Sequence, residues 1–219
     1  MKHAYLQTIL YYTAALLLWS VAHPGGPCNT HAGIITDGLR SKVASIITIA
    51  GDHSYNTPED QDTKPARLHE IADTAFDWEE IAQRTLCDYW HELSSGQQRT
   101  FCEKFSDFLC CVYLKKLESF LSRRQAFTPD AIHYNEEITA GEYAMVRTTV
   151  GSGEGAPEID YKLRLKNNHW LIYDVVINNV GFVADYKSQC NRILVHDGFN
   201  ALIERLDSKE DMENNVAQN

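Results

Sequence analysis

The chain has 219 residues, a formal net charge of −10 and 44% hydrophobic residues. This length suits a single domain with a sizeable core. The negative charge, without a dense basic cluster, argues against non-specific binding to nucleic acid or to anionic lipid surfaces.

The N-terminal segment predicts a secretory signal peptide. A short positive start at Lys2 and His3 precedes an apolar stretch from Ile9 to Trp19, and Ser20-Val21-Ala22 supplies the small residues that a signal peptidase recognises. The apolar stretch is shorter than the ~20 residues that a membrane-spanning helix needs. We therefore expect residues 1–22 to be removed on export.

Export would place the six cysteines in an oxidising compartment, where disulfides can form. They are Cys28, Cys87, Cys102, Cys110, Cys111 and Cys190. Their spacing contains no CxxC pair and predicts no metal site. Cys87 and Cys102 are a candidate disulfide because a short turn separates the two predicted helices that carry them. Cys110 is interpreted instead as a buried small hydrophobic residue.

The first half of the predicted single domain, residues 23–207, has helical patterns. Apolar residues between Ile34 and Ile49 recur at three- and four-residue steps, which predicts a helix. After a polar loop at 51–65 comes a second helix, and Asp77 then caps a third, with Glu80 at the spacing of a capping box. The longest helix begins at Ser94 or Ser95 and ends near Ser122. Its apolar arc is wide, as expected of a central helix that serves as core, as cavity wall or as both.

The second half changes to the alternating period of β-strands. Strands are predicted near Ile132–Ile138, around Val146, from Ile159 to Leu165 and from Trp170 to Ile177, with Asn167-Asn168 as a hairpin turn. Two C-terminal helices follow, separated at Asp197-Gly198, and residues 208–219 form a polar, flexible tail. The predicted class is α+β: a mainly helical N-terminal half, then a curved antiparallel sheet of about four strands and two helices that enclose an apolar pocket.

Four segments carry motifs of one known family. They are Phe76-Asp77 through Trp90, Gln97 through Leu117, Trp170–Ile177 followed by Val183–Cys190, and Asp197-Gly198-Phe199 with Leu206. In this order and spacing they resemble the MlaC, or toluene-tolerance, family of periplasmic lipid-binding proteins over roughly residues 30–207. The chain departs from the family pattern at several positions, including Cys87 in place of Gly and Cys190 in place of Phe.

The resemblance implies a periplasmic carrier that moves phospholipid between the inner and outer membranes, not an enzyme, and without a cofactor. It also implies two kinds of partner, an inner-membrane ABC transporter with an MCE-domain protein and an outer-membrane lipoprotein. A second hypothesis is a carrier of a hopanoid or another polycyclic lipid. A third is an enzyme of the cone-shaped α+β type that uses Asp174, since a buried carboxylate can act as a base. We favour a structural role for Asp174, as an acceptor of backbone or Tyr hydrogen bonds.

The wide apolar faces predict where the lipid chains bind. We expect the cavity between the apolar face of the strands and the helices that pack on it, with the polar headgroup left in water. The predicted lipid-binding residues are Phe105, Leu109, Tyr113, Leu117, Val146, Tyr161, Leu163, Ile172, Val183 and Tyr186. If the headgroup were bound after all, Arg147, Lys162 and Arg164 would be the candidates. Trp170 is interpreted as a residue that packs sheet against helix.

Overall fold

The structure, a computed structural model, describes residues 33–55, 63–123 and 127–208. The predicted signal peptide, Cys28 and residues 209–219 of the predicted tail lie outside these ranges. The N-terminal half contains α1 (Ile34–Gly51), α2 (Thr63–Ala75), α3 (Trp78–Leu86) and α4 (Ser95–Arg123), with a 3-10 turn at Cys87–Glu92 between the last two. Among the described residues, no helix is long and apolar enough to cross a membrane.

The second half is one antiparallel sheet followed by a broken helix. Its strands are β1 (Ile132–Ala140), β2 (Tyr143–Val150), β3 (Glu158–Lys166), β4 (His169–Ile177) and β5 (Val180–Gly181), in the spatial order of the chain. The helical element α5 (Phe182–Ser208) is interrupted at Gly198, whose φ of 83° and ψ of 179° are not helical. The two C-terminal helical segments and the α+β class are as predicted.

The two hairpin turns that flank β4 have the same composition. Asn167 and Asn168 have φ values of 51° and 64°, as the predicted two-residue turn requires. Asn178 and Asn179 repeat this geometry, with φ values of 47° and 66°, and return the chain into β5. The prediction of about four strands missed β5 because it is only two residues long.

The apolar interior is divided into two clusters. The cluster that we call the helical core lies among α3, the 3-10 turn, α4 and α5, and it contains Ile81, Ala82, Leu86, Trp90, Leu93, Phe101, Phe105, Phe108, Leu109, Val112, Tyr186, Cys190, Ile193, Leu194, Leu202 and Leu206. Its centre is aromatic: the ring of Tyr186 meets those of Phe105 and Phe108 edge-on, with centroids 5.5 and 5.8 Å apart. Edge-on contacts of this kind stabilise by about 0.5–1.5 kcal/mol beyond the area they bury.

The second cluster, the sheet core, lies between α1 and the strands. It contains Ile35, Leu39, Val43, Ile47, Ala75, Ile132, Ala144, Val146, Val150, Tyr161, Leu163 and Ile172. The four members from α1 are spaced at four-residue steps along one face. Helix α1 therefore supplies most of the helical side of the sheet core, with Ala75 of α2 and the half-buried Phe120 and Leu121 of α4 beside it.

The junction of α2 and α3 attaches the helices to the sheet. Phe76 bridges to Ile172 in parallel, and the backbone N–H of Asp77 donates to the carbonyl of Ile172 at 2.8 Å. The Asp77 side chain caps α3 by accepting from the N–H of Glu80, as predicted. The reciprocal half of the capping box is not formed, because the N–H of Asp77 is taken by the sheet. The Glu80 carboxylate binds Arg84 and Arg164 instead.

Asp77 is also the centre of an ion-pair network between α3 and β3. It is 3% exposed and accepts from Arg164 at 2.7 Å and from Lys166 at 3.0 Å. Burial acts to raise the pKa of Asp77, but the hydrogen bonds from Lys166, the Glu80 amide and Arg164 outweigh it, and the pKa lies below its ordinary value.

The end of α3 is strained at Cys87. Cys87 has φ 52° and ψ −123°, a region that side chains with a Cβ rarely adopt. Such strain costs on the order of 1–3 kcal/mol, whereas a glycine would give up about 0.5–1 kcal/mol of unfolded-chain entropy. We expect Cys87→Gly to raise the free energy of unfolding by about 1 kcal/mol, measured by urea denaturation. Cys87→Ala removes the thiol and keeps the Cβ, so it should not stabilise; equal gains in both variants would contradict the strain argument.

The candidate disulfide is not formed in the structure, where Cys87 and Cys102 are both free thiols. The Cys87 thiol lies 3.2 Å from the Lys187 ammonium. Burial raises the pKa of Cys110 and Cys190 to about 12, and that of Cys102 to about 11. These three thiols are therefore protonated and unreactive at neutral pH.

Candidate functional site: a pocket between α1 and the sheet

A pocket of about 230 Å³ opens between the first half of α1 and the β3–β4 hairpin. Its lining residues come from α1, the end of α2, both strands and the turn between them, and they are Ile34, Ile35, Gly38, Leu39, Lys42, Ala75, Leu163, Asn168, His169, Trp170 and Ile172. Most of them are apolar. The pocket is thus an apolar slot with a few polar groups, the usual character of a site for a largely apolar ligand.

The lining residues separate into a buried floor and an exposed mouth. Leu39, Leu163 and Ile172 are at most 3% exposed and belong to the sheet core. Ile34, by contrast, is 60% exposed, and Asn168 and His169 are also exposed. The slot therefore runs from an exposed rim at the hairpin end to the residues of the sheet core.

The size of the pocket limits what it holds. Its volume lies below the roughly 300–1,000 Å³ of pockets that bury a whole drug-sized ligand, so it has room for part of one acyl chain. A second chain would require α1 to move away from the sheet.

The N-terminus of α1 is held against the sheet by Glu137 of β1. Its carboxylate accepts from the backbone N–H groups of Gly33 and Thr36, at 3.3 and 2.8 Å, and from the Thr36 hydroxyl at 2.5 Å. A carboxylate is stabilising at this end of a helix because it satisfies N–H groups that have no partner within the helix. Glu137 therefore fixes one wall of the pocket to the strands.

The structure does not gather the ten predicted lipid-binding residues into one site. Phe105, Leu109 and Tyr186 are buried in the helical core, and Tyr113 and Val183 pack against it. Leu117 is half-buried further along α4. The four strand residues Val146, Tyr161, Leu163 and Ile172 lie in the sheet core. Of the ten, Leu163 and Ile172 line the pocket.

The basic residues of β2 and β3 have acidic partners. Arg147 binds Glu136 at 2.8 Å, and Lys162 binds Asp174 at 2.9 Å. Arg164 is held by Asp77 and Glu80. A phosphate that bound these side chains would have to displace a carboxylate from each of them.

Asp174 has structural partners. One carboxylate oxygen accepts from Lys162, and the other accepts from the backbone N–H of Val183 at 3.0 Å, in the first turn of α5. This is the predicted backbone hydrogen bond, and Asp174 is not among the residues that line the pocket. The described residues also contain no group of three or more His, Cys, Asp or Glu placed to hold a metal ion.

Sequence reasoning missed the α1 wall and the hairpin rim. The α1 residues were visible as a periodic apolar face, but that face was interpreted only as a helix pattern. Lys42 gave a further signal, since it lies three residues after Leu39 and four before Ile46, in the middle of the apolar stripe. Trp170 does pack against the sheet core as predicted, and it also lines the pocket.

Comparison with known proteins places this chain in a family. The family model described as MlaC protein matches residues 40–208, which includes most of α1 and every later element. The chain belongs to the MlaC family. No curated protein matches it.

A solved structure shares the MlaC fold of this chain. It is described as the phospholipid-binding protein from Ralstonia solanacearum in complex with a phospholipid. The likeness has a TM-score of 0.64 and covers 80% of this chain and 96% of that one, at 20% sequence identity. At that identity it establishes the MlaC fold of this chain and leaves the ligand to be argued from the pocket.

Proposed function

We propose that this protein is a lipid carrier that binds the acyl chains of phospholipid in the pocket between α1 and the sheet. The observation that carries the proposal is the apolar pocket with its open mouth, in a member of the MlaC family. The phospholipid complex of the Ralstonia solanacearum protein, which has the same fold, supports it.

The pocket meets part of the main physical requirement of a carrier, because its apolar lining can shield part of an acyl chain from water. An acyl chain of about 15 methylenes in water costs on the order of 12 kcal/mol, at about 0.8 kcal/mol each. Transfer from a bilayer into an apolar slot is nearly neutral, because both environments are apolar. Loading and unloading can then be set by partners that favour a wider or narrower pocket.

The wider role is part of the same proposal. The protein crosses the periplasm between the two membranes of the cell envelope, as the soluble component of an ABC-type lipid transport system. It exchanges phospholipid with an inner-membrane ABC transporter carrying an MCE-domain protein and with an outer-membrane lipoprotein. Its role is binding and transfer, not catalysis, and the engaged carboxylate of Asp174 supports that choice over an enzyme.

Native mass spectrometry of the mature protein, expressed with its own export signal, tests the proposal. We expect bound species whose added mass is that of diacyl phospholipids. Shorter tails should weaken binding by up to about 0.8 kcal/mol per lost methylene, because each methylene removes apolar area from water. An added mass that matches a polycyclic lipid would instead support the second candidate ligand, a hopanoid or another polycyclic lipid. A protein that carries no lipid, and takes up none from vesicles, would reject the carrier proposal.

A further inference from the structure

The charge of the pocket is opposite to that of the chain. The chain has 30 acidic residues and 20 Lys and Arg residues. Among the described residues that line the pocket, however, there is one lysine and one histidine, and no aspartate or glutamate. The described lining of this slot thus contains no carboxylate, and Lys42 supplies a positive charge to it.

Lys42 is unusual in its partners. Its ammonium donates to the backbone carbonyl of Thr74 at 2.7 Å, in the last turn of α2. Among the described residues, no carboxylate forms an ion pair with it, in contrast to the lysines of β3, which bind Asp174, Asp77 and Glu79. Burial lowers the pKa of Lys42, as expected of an ammonium that has lost water and gained no anion.

The contact with Thr74 uses one of the three N–H donors of the ammonium. Two donors and the full charge remain for a ligand in the pocket. A half-buried ammonium that lacks an anion gains more from meeting one than a solvated lysine does, because water screens it less.

We propose that Lys42 binds the anionic end of an acyl-chain lipid, a phosphate or a carboxylate, while the chain lies along Leu39, Leu163 and Ile172. This inference rests on the proposed function and specifies the ligand class of the same pocket. The pocket has room for part of one chain, so the ligand places one chain and one anionic group there. Asn168 and His169 are the other residues with polar side chains that line the pocket.

Three ligands with the same oleoyl chain test this proposal. Oleate carries a carboxylate, oleoyl lysophosphatidic acid carries a phosphate, and monooleoylglycerol is neutral. Their affinities are measured by displacement of the uncharged dye Nile red from the mature protein. We expect wild type to bind at least one anionic ligand about tenfold or more tightly than the neutral one, the usual strength of a charged hydrogen bond.

Lys42→Met keeps the length of the side chain and removes its charge. It should remove the preference for the anionic ligands and change the affinity for monooleoylglycerol by less than about twofold. Lys42→Arg should retain the preference. Lys115→Met is the matched control, because Lys115 is exposed on α4 and lies outside the pocket. Its ligand affinities should equal those of wild type.

The outcomes separate the two proposals. If Lys42→Met loses only the preference for oleate over monooleoylglycerol, the ligand of Lys42 is a carboxylate. If it loses only the preference for lysophosphatidic acid, the ligand is a phosphate. A wild type without any anion preference, or a Lys42→Met variant that keeps it, would overturn the role of Lys42 and leave the carrier proposal standing. Failure of the wild type to bind any of the three ligands would count against the carrier proposal itself.

Discussion

Replacing Gly38 with phenylalanine should block lipid binding without destabilising the protein. Gly38 lies on α1 and lines the pocket, and a Cβ built on it meets no atom within 4 Å. A phenylalanine there would occupy space that the acyl chain needs, which should weaken lipid binding about ten- to a hundredfold. Glycine is the poorer helix former, so the free energy of unfolding should rise by about 0.5 kcal/mol. Lipid content by mass spectrometry and urea denaturation measure the two effects.

A matched substitution on the same helix controls for the added bulk. Ser41 is exposed on α1 and lies outside the pocket. Ser41→Phe should therefore bind lipid as wild type does. Full lipid content in Gly38→Phe would show that the chains bind elsewhere, for example beside the helical core, where half of the residues predicted from sequence lie.

Replacing Asp77 with alanine should cause a large loss of stability. The change removes a buried carboxylate that binds Arg164 and Lys166, and it also removes the cap of α3. Breaking a buried ion pair costs about 3–5 kcal/mol, and a lost cap costs about 1 kcal/mol. The side chains of Arg164 and Lys166 are 25% and 31% exposed, so water offsets part of the loss. We expect a decrease of about 3 kcal/mol in the free energy of unfolding, measured by urea denaturation.

Glu79→Ala is the control for Asp77. Glu79 binds the same Lys166, but its side chain is 66% exposed, so its removal should cost less than about 1 kcal/mol. A similar cost for both variants would contradict the importance of burial at Asp77.

Acid should weaken the ion-pair network around Asp77. The pKa of Asp77 is lower in the folded than in the unfolded chain, so its contribution to stability is present above the unfolded value of about 3.9 and is lost as the pH falls below it. Asp77→Asn should therefore lose less stability than wild type between pH 4 and pH 3.

The helices and hairpins could be predicted because their signals are local. The three- and four-residue period of α1, the cap at Asp77 and the paired asparagines before β4 each depend on neighbouring residues. The pair Asn178-Asn179 has the same composition as Asn167-Asn168, and this repeat of a turn signal indicates the return of the chain into β5. Strand β5 has only two residues and therefore no alternation of apolar and polar side chains, so periodicity alone could not predict it.

The position of the pocket depends on which helix covers the sheet, and that is not a local property. The apolar arc of α4 is wide because Phe101, Phe105 and Phe108 pack among α3 and α5, whereas Phe120 and Leu121 near its end pack against the sheet core. The narrower stripe of α1 packs against the strands over most of its length. Sequence spacing gives the width of an apolar face but not the identity of its partner, so the predicted cavity combined residues from two separate clusters.

The bulge in β1 has a consequence for solubility at high concentration. Strand β1 is one of the two outer strands of the sheet in the described part of the chain, and its register shifts between Tyr134 and Glu136. An outer strand offers free backbone groups to a second molecule, and a bulge together with charged side chains disfavours such pairing. Glu136 is exposed beside this irregularity, and the neighbouring Glu137 is occupied with α1. The strand is thus protected against edge-to-edge aggregation.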